Sequence, residues 1–189
     1  MTVLNIPNSI TLLRIVAVPV FLSLLVDGRH SAALIVFVLA GLSDAVDGAV
    51  ARITNTRTQL GEHLDPLADK LLLLSAFITL GILGAVPAPL MIVVLVRDVV
   101  VLSGCLLASA IMDTTIKIIP SMWGKVTTFL QLVTVGVVLL SLAAWVPVPP
   151  IVLTMVFVAA AAATVISGID YVIYGLREYQ DSESETPSG

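Results

Sequence analysis

The chain is short of charge, of cysteine and of basic residues, and each shortage removes a class of protein. Only 12% of its 189 residues are Asp, Glu, Lys or Arg, about half the share an ordinary water-facing domain carries. A soluble monomer is thereby excluded. The single cysteine, Cys105, rules out a disulfide-stapled secreted scaffold. Nine basic residues form no cluster, and the formal net charge of −4 argues against nucleic acid as a partner. What is abundant is apolar: 58% of the residues, with a mean hydropathy of +1.10. Disorder is excluded on the same ground. The mass of 19.9 kDa allows one domain, and at about 20 residues per crossing the length holds about six transmembrane helices.

Six apolar runs lie between polar punctuation, at about residues 10–26, 31–53, 66–86, 89–111, 125–146 and 151–176. Asp27-Gly28-Arg29-His30 separates the first two, a Pro-Ala-Pro turn closes the third, and Pro147, Pro149 and Pro150 break the fifth from the sixth. The runs lack the period-two alternation of a barrel strand, so helices are expected. The expected fold is an all-α integral membrane protein whose six transmembrane helices form one domain over 1–176. Residues 177–189 are read as an acidic, disordered tail. Asn5-Ile6-Pro7-Asn8 reads as a short interfacial lead-in, with Asn8 capping the first helix. That first run does not read as a cleavable signal peptide, since it has no basic leader and carries Arg14 inside.

With six crossings, and Arg14 and Arg97 left uncounted because they lie within the runs, one side holds Arg52, Arg57, Lys70, Lys117, Lys125 and Arg177, and the other only Arg29. The excess of Lys and Arg puts both termini on the cytoplasmic side. Four of the thirteen acidic residues (Glu178, Asp181, Glu183 and Glu185) lie in the tail. Removing these four leaves nine acids against nine bases, so the net −4 belongs to residues 178–189. Trp123 and Trp145 fall near opposite ends of the fifth run, as interface anchors do.

The remaining charge is concentrated. The second run ends in Gly41-Leu42-Ser43-Asp44-Ala45-Val46-Asp47-Gly48-Ala49-Val50-Ala51-Arg52, and the third helix opens with Gly61-Glu62-His63-Leu64-Asp65-Pro66-Leu67-Ala68-Asp69-Lys70. Asp44 and Asp47 are three apart and Asp65 and Asp69 four apart, so each pair shares a helical face. An aspartate at mid-membrane costs about 2.5–3.5 kcal/mol, less near the interface, and four together repel one another. They could be solvated at the water boundary and paired with Arg52, Arg57 and Lys70. Two face-matched pairs on adjacent helices instead suit a hard cation, Mg²⁺ or Mn²⁺, which bridges carboxylates and substrate phosphates. Gly41, Ala45, Gly48 and Ala51 leave room for close approach to the helix, and Arg52 could grip a diphosphate.

The pattern Asp44-x₂-Asp47-Gly48-x₂-Ala51-Arg52-x₈-Gly61-x₃-Asp65-x₃-Asp69 resembles the complete signature of the CDP-alcohol phosphatidyltransferases, with all eight positions and the eight-residue gap intact. The likeness runs from Asn5-Ile6-Pro7-Asn8, with Thr11 and Arg14, through the fifth run. It implies six transmembrane helices, a homodimer, and displacement of CMP from a CDP-lipid such as CDP-diacylglycerol by an alcohol acceptor. Asp44, Asp47 and Asp65 would hold a divalent metal pair. Asp69 would complete that cluster and also serve as general base. Gly48, Ala51, Arg52 and Gly61 would shape the CDP-lipid site. A metal would offset the diphosphate charge and stabilise the departing CMP, while no neighbouring base activates Ser43 for a covalent route.

Arg14, Arg97 and Lys125 could ring an acceptor phosphate, as glycerol 3-phosphate would need. The alternative pairs Arg97 with Asp98 or another helix's acid and lets Lys125 snorkel. Gly124-Lys125-Val126-Thr127-Thr128 lacks the second lysine of the Gly-Lys-x-Lys-Thr often present in phosphatidylglycerophosphate synthases. The stretch 64–70 and Arg97-Asp98 are similar to the cardiolipin synthases of the family, whose acceptor is phosphatidylglycerol. Glycerol 3-phosphate is the leading expectation; inositol phosphate and serine rank lower. His63 reads as an interfacial histidine, Cys105 as a packing residue, and Asp170 has no assigned role. A cation transporter would need acids at mid-depth with repeats or broken helices, which the sequence lacks; a scaffold gives no reason for the Asp pairs.

Overall fold

Where water is scarce the backbone must satisfy its own hydrogen bonds, and long apolar stretches do so as helices. The computed structural model describes residues 6–54, 59–111 and 122–184, with side chains described over 16–43, 70–103 and 122–173. Six helices and their turns account for these residues: α1 (Ile6–Val26), α2 (His30–Thr54), α3 (Gln59–Ile82), α4 (Ala88–Ile111), α5 (Met122–Ala143) and α6 (Pro150–Ser184). No strand occurs among them.

The helices close into a ring. α1 packs on α2 and α3, α2 on α5, α5 on α6, α6 on α4 and α4 on α3, while α3 also reaches α5 across the ring. One core joins the ends of α1, α3 and α5 to the starts of α2 and α4. Phe21, Leu25, Ala33, Leu34, Phe37, Phe77, Leu80, Val86, Leu90, Val138 and Leu139 are all buried in it. Phe21 and Phe37 meet with ring centroids 5.8 Å apart, a tilted contact that aromatic quadrupoles favour. The helices therefore alternate in direction, and the three described turns lie together at this end. Trp145 Nε1 donates to Ser31 Oγ at 3.0 Å, fastening the last turn to the start of α2.

Two of these turns end their helices on a left-handed glycine. Gly28 (φ 70°) and Gly84 (φ 73°) follow α1 and α3. Arg29 N donates to Leu24 O at 2.8 Å and Ala85 N to Leu80 O at 2.9 Å, which satisfies carbonyls the helix ends leave open. α3 consequently stops at Ile82, although the apolar run continues to Val86; Val86 is folded back into the core. At its other end α3 starts at Gln59, ahead of the expected Pro66, because its polar first turns are helical as well. α5 is offset in the same way, spanning Met122–Ala143.

Two further expectations are corrected. α1 starts at Ile6, so Asn8 lies inside the helix rather than capping it, and Pro7 takes a first-turn position where no backbone N–H is needed. α6 continues to Ser184, well into the segment read as a disordered tail. Residues 177–184 include Arg, Glu and Gln, which tolerate helix, and no Gly or Pro.

Among the described side chains, large apolar residues are exposed and several polar ones are buried beside the apolar core. Val99, Phe129 and Met155 are more than 60% exposed, whereas Arg97, Asp98, Thr127, Gln131, Thr134 and Ser167 are buried. An apolar surface with polar groups packed between helices suits a helical membrane protein. Met122–Ala143 and Pro150–Ile173 are each long and apolar enough to cross a membrane. α1, α2 and α3 contribute shorter described apolar lengths, Val16–Val26, His30–Ser43 and Lys70–Ile82. The seam between α5 and α6 is joined by hydroxyls. Thr127 Oγ1 donates to the Ala163 carbonyl at 2.8 Å and Thr134 Oγ1 to the Val156 carbonyl at 3.3 Å.

Candidate active site

Helix geometry fixes where the signature residues stand. Asp44, Asp47, Gly48, Ala51 and Arg52 belong to the last turns of α2, and Gly61, Asp65 and Asp69 to the first half of α3. Both stretches are helical, so the three- and four-residue spacings put each aspartate pair on one face. The two helices are joined through residues 55–58 and share α1 and α5 as neighbours. The acid-bearing ends therefore lie at the end of the bundle opposite the three turns. Arg14, in the first half of α1, and Lys125, in the first turn of α5, belong to that end too.

Side-chain positions of the four aspartates, Arg14, Arg52, His63 and Cys105 lie outside the described residues, as do Arg57 and Lys117. Among the described side chains no three His, Cys, Asp or Glu residues gather as a metal site would require.

Midway along the helices, between the acids and the apolar core, lies a buried charge network. Asp98 Oδ1 accepts from Lys70 Nζ at 2.7 Å and from Arg97 Nη1 at 2.7 Å. Arg97 Nη2 donates to Ser167 Oγ at 2.8 Å, and the guanidinium carbon lies 5.9 Å from the centre of the Tyr171 ring. The network joins α3, α4 and α6. The Arg97 and Asp98 side chains are 5% and 4% exposed, against 26% for Lys70, so Lys70 is the end that reaches outward. Two cations share one carboxylate.

Of the three cations expected around an acceptor, Arg97 is thus held inside the bundle by Asp98 and Ser167, while Lys125 is exposed. The Arg97–Asp98 pairing was legible from their adjacency. The links to Lys70 and Ser167 were not, because residues 28 and 70 positions away share no sequence pattern; a polar triplet of Thr164, Ser167 and Tyr171 at helical spacing was the available signal. Asp170 is half-buried beside Tyr171 on α6. Trp123 and Trp145 are both about half exposed, one at each end of α5.

Residues 4–167 match the CDP-alcohol phosphatidyltransferase family. The chain is 40% identical over 181 residues to a probable phosphatidylglycerophosphate synthase of Mycobacterium tuberculosis, covering 92% of this chain and 83% of that protein. It is 37% identical over 151 residues to the CDP-diacylglycerol–glycerol-3-phosphate 3-phosphatidyltransferase of Bacillus subtilis, covering 72% and 77% respectively. Human cardiolipin synthase (CMP-forming) is 40% identical over 100 residues, which is 52% of this chain and 33% of the relative.

Proposed function

The chain belongs to the CDP-alcohol phosphatidyltransferase family, and from that premise we propose that it transfers the phosphatidyl group of CDP-diacylglycerol to glycerol 3-phosphate, releasing CMP. The observation that carries the acceptor is the 40% identity, over 92% of the chain, to a probable phosphatidylglycerophosphate synthase. The reaction places the protein in phospholipid biosynthesis.

Asp44, Asp47, Asp65 and Asp69 offer only carboxylate oxygens, from two helix faces that flank one short connection. That donor set fits Mg²⁺ or Mn²⁺, held as a pair. When bound, such ions supply the positive charge that a diphosphate and a departing CMP require. Asp69 takes the proton of the acceptor hydroxyl. The hydroxyl oxygen then bonds to the lipid-bearing phosphorus as the bond from that phosphorus to CMP breaks. Gly48, Ala51 and Gly61 leave space for the nucleotide, and Arg52 meets the diphosphate. Arg14 and Lys125 take the acceptor's phosphate, and Arg97 supports that site from the interior.

The topology follows from the same reading. All six helices cross the inner membrane of a bacterial cell, with both termini and the aspartates on the cytoplasmic side, and the enzyme works as a homodimer among membrane lipids. The apolar exterior supports the embedding, and the distribution of Lys and Arg supports the orientation.

A second reading takes phosphatidylglycerol as acceptor, favoured by the 40% identity to human cardiolipin synthase over about half of the chain. Purified protein given CDP-diacylglycerol, Mg²⁺ or Mn²⁺, and either acceptor separates the two by CMP release. Glycerol 3-phosphate is expected to support turnover. Release with phosphatidylglycerol alone transfers the assignment to cardiolipin synthesis, and no release with any alcohol from folded protein removes the transferase reading.

A further inference from the structure

We infer that Asp98 is a positioning residue for phosphatidyl transfer, acting through Lys70 to hold the Asp69 segment of α3 against α4. The inference rests on the proposed function for the identity of Asp69 as base; the contact itself rests on geometry. Lys70 directly follows Asp69, and its ammonium meets Asp98 Oδ1 at 2.7 Å. On the far side of Lys70, α3 is held by Leu72, Leu73, Ala76, Phe77 and Leu80, all buried and all apolar. Apolar contacts are non-directional and tolerate small rotations and slides of a helix. The ion pair is a directional contact on α3 where the core gives way to the acidic segment, and it fixes what the core leaves adjustable.

Asp98 is suited to this by its own bracing. Arg97 grips the same oxygen at 2.7 Å and carries the load to Ser167 on α6 at 2.8 Å, so the carboxylate on α4 is braced against α6. The charge count points the same way. A pin that served stability alone gains little from burial, since apolar substitutes for buried ion pairs are often as stable. Here two cations meet one buried carboxylate, and the outward-reaching cation is the one next to the aspartates. The network thus fixes Lys70, and with it the backbone next to Asp69, against α4. Placement errors of about 1 Å at a reacting group cost about a hundredfold in rate, so an anchor one residue from the base bears directly on turnover.

The test compares Asp98→Asn, Lys70→Met, the double variant and Lys70→Arg, with kcat, both KM values and thermal midpoint measured on the full chain in mixed micelles. Asp98→Asn and Lys70→Met are each expected to lower kcat at least tenfold while both KM values stay within threefold. The double variant should be no slower than the slower single one, and Lys70→Arg should recover most of the rate. A parental kcat in Asp98→Asn, or losses that multiply in the double variant, overturns the inference. So does a loss that tracks the thermal midpoint with no difference between kcat and KM. If Asp98→Asn does not fold, Lys70→Met and Lys70→Arg decide alone: equal rates for these two reject it. An inactive parent protein would instead reject the proposed function, and the two failures are therefore distinct.

Discussion

At the residue scale the sharpest question concerns Asp69, which the proposed mechanism asks both to bind metal and to take a proton. Asp69→Asn keeps the size of the side chain and removes its basicity. Turnover should fall by about 10²–10⁴, the usual contribution of a general base, while binding of CDP-diacylglycerol, followed by a fluorescent or radiolabelled lipid, changes little. Retained turnover would assign the proton to another group. Ala144 poses a different residue-scale question. It follows α5 at φ 54°, a left-handed conformation that glycine adopts at the corresponding points after α1 and α3. A side chain in that region costs about 1–2 kcal/mol. Ala144→Gly should therefore raise the thermal midpoint by a few degrees without altering turnover, and a lower midpoint would show that the Ala methyl contributes packing that outweighs the strain.

At the element scale the contact between α3 and α4 sets the frame in which the acids stand. Near the turn, Gly81 lies against the Met91 side chain, close enough that any Cβ would displace it. Midway along, Lys70 meets Asp98. Gly81→Val should destabilise the fold by about 1–3 kcal/mol through overpacking, and Met91→Ala in the same chain should recover part of that loss. A thermal melt of the single and double variants checks both statements; additive losses would mean that the two side chains do not meet. The helices themselves were legible from the apolar runs, but their ends were not. α3 ends at Ile82 because Gly84 is left-handed, and it begins at Gln59 because a polar turn near the bundle end needs no apolar side chains to be helical. Apolarity marks what is buried in lipid or core. Hydrogen-bond closure marks where a helix stops.

For the whole molecule, the distribution of Lys and Arg makes a prediction about sidedness. In a Cys105→Ser background, Asp27→Cys should react with a membrane-impermeant maleimide in intact cells. Thr56→Cys, in the connection between α2 and α3, should react only after permeabilisation. The opposite pattern would invert the proposed orientation, and labelling of both positions from one side would remove the odd number of crossings between them.

The proposed site could be read from the sequence because the residues of its signature lie within 26 positions of one another, on two consecutive helices joined by a short connection. Local spacing therefore determined which carboxylates share a face, and composition determined that those helices are embedded in an apolar molecule. The tertiary structure decided what no local pattern encodes. It paired Lys70 and Arg97 with one carboxylate, placed Ser167 beneath them, and closed six helices into a ring in the order α1, α2, α5, α6, α4, α3. A helix's period declares which face is polar, but the partner of a buried charge depends on which helices become neighbours. That choice is made by packing across the whole chain, where contacts between distant segments are set together rather than one by one.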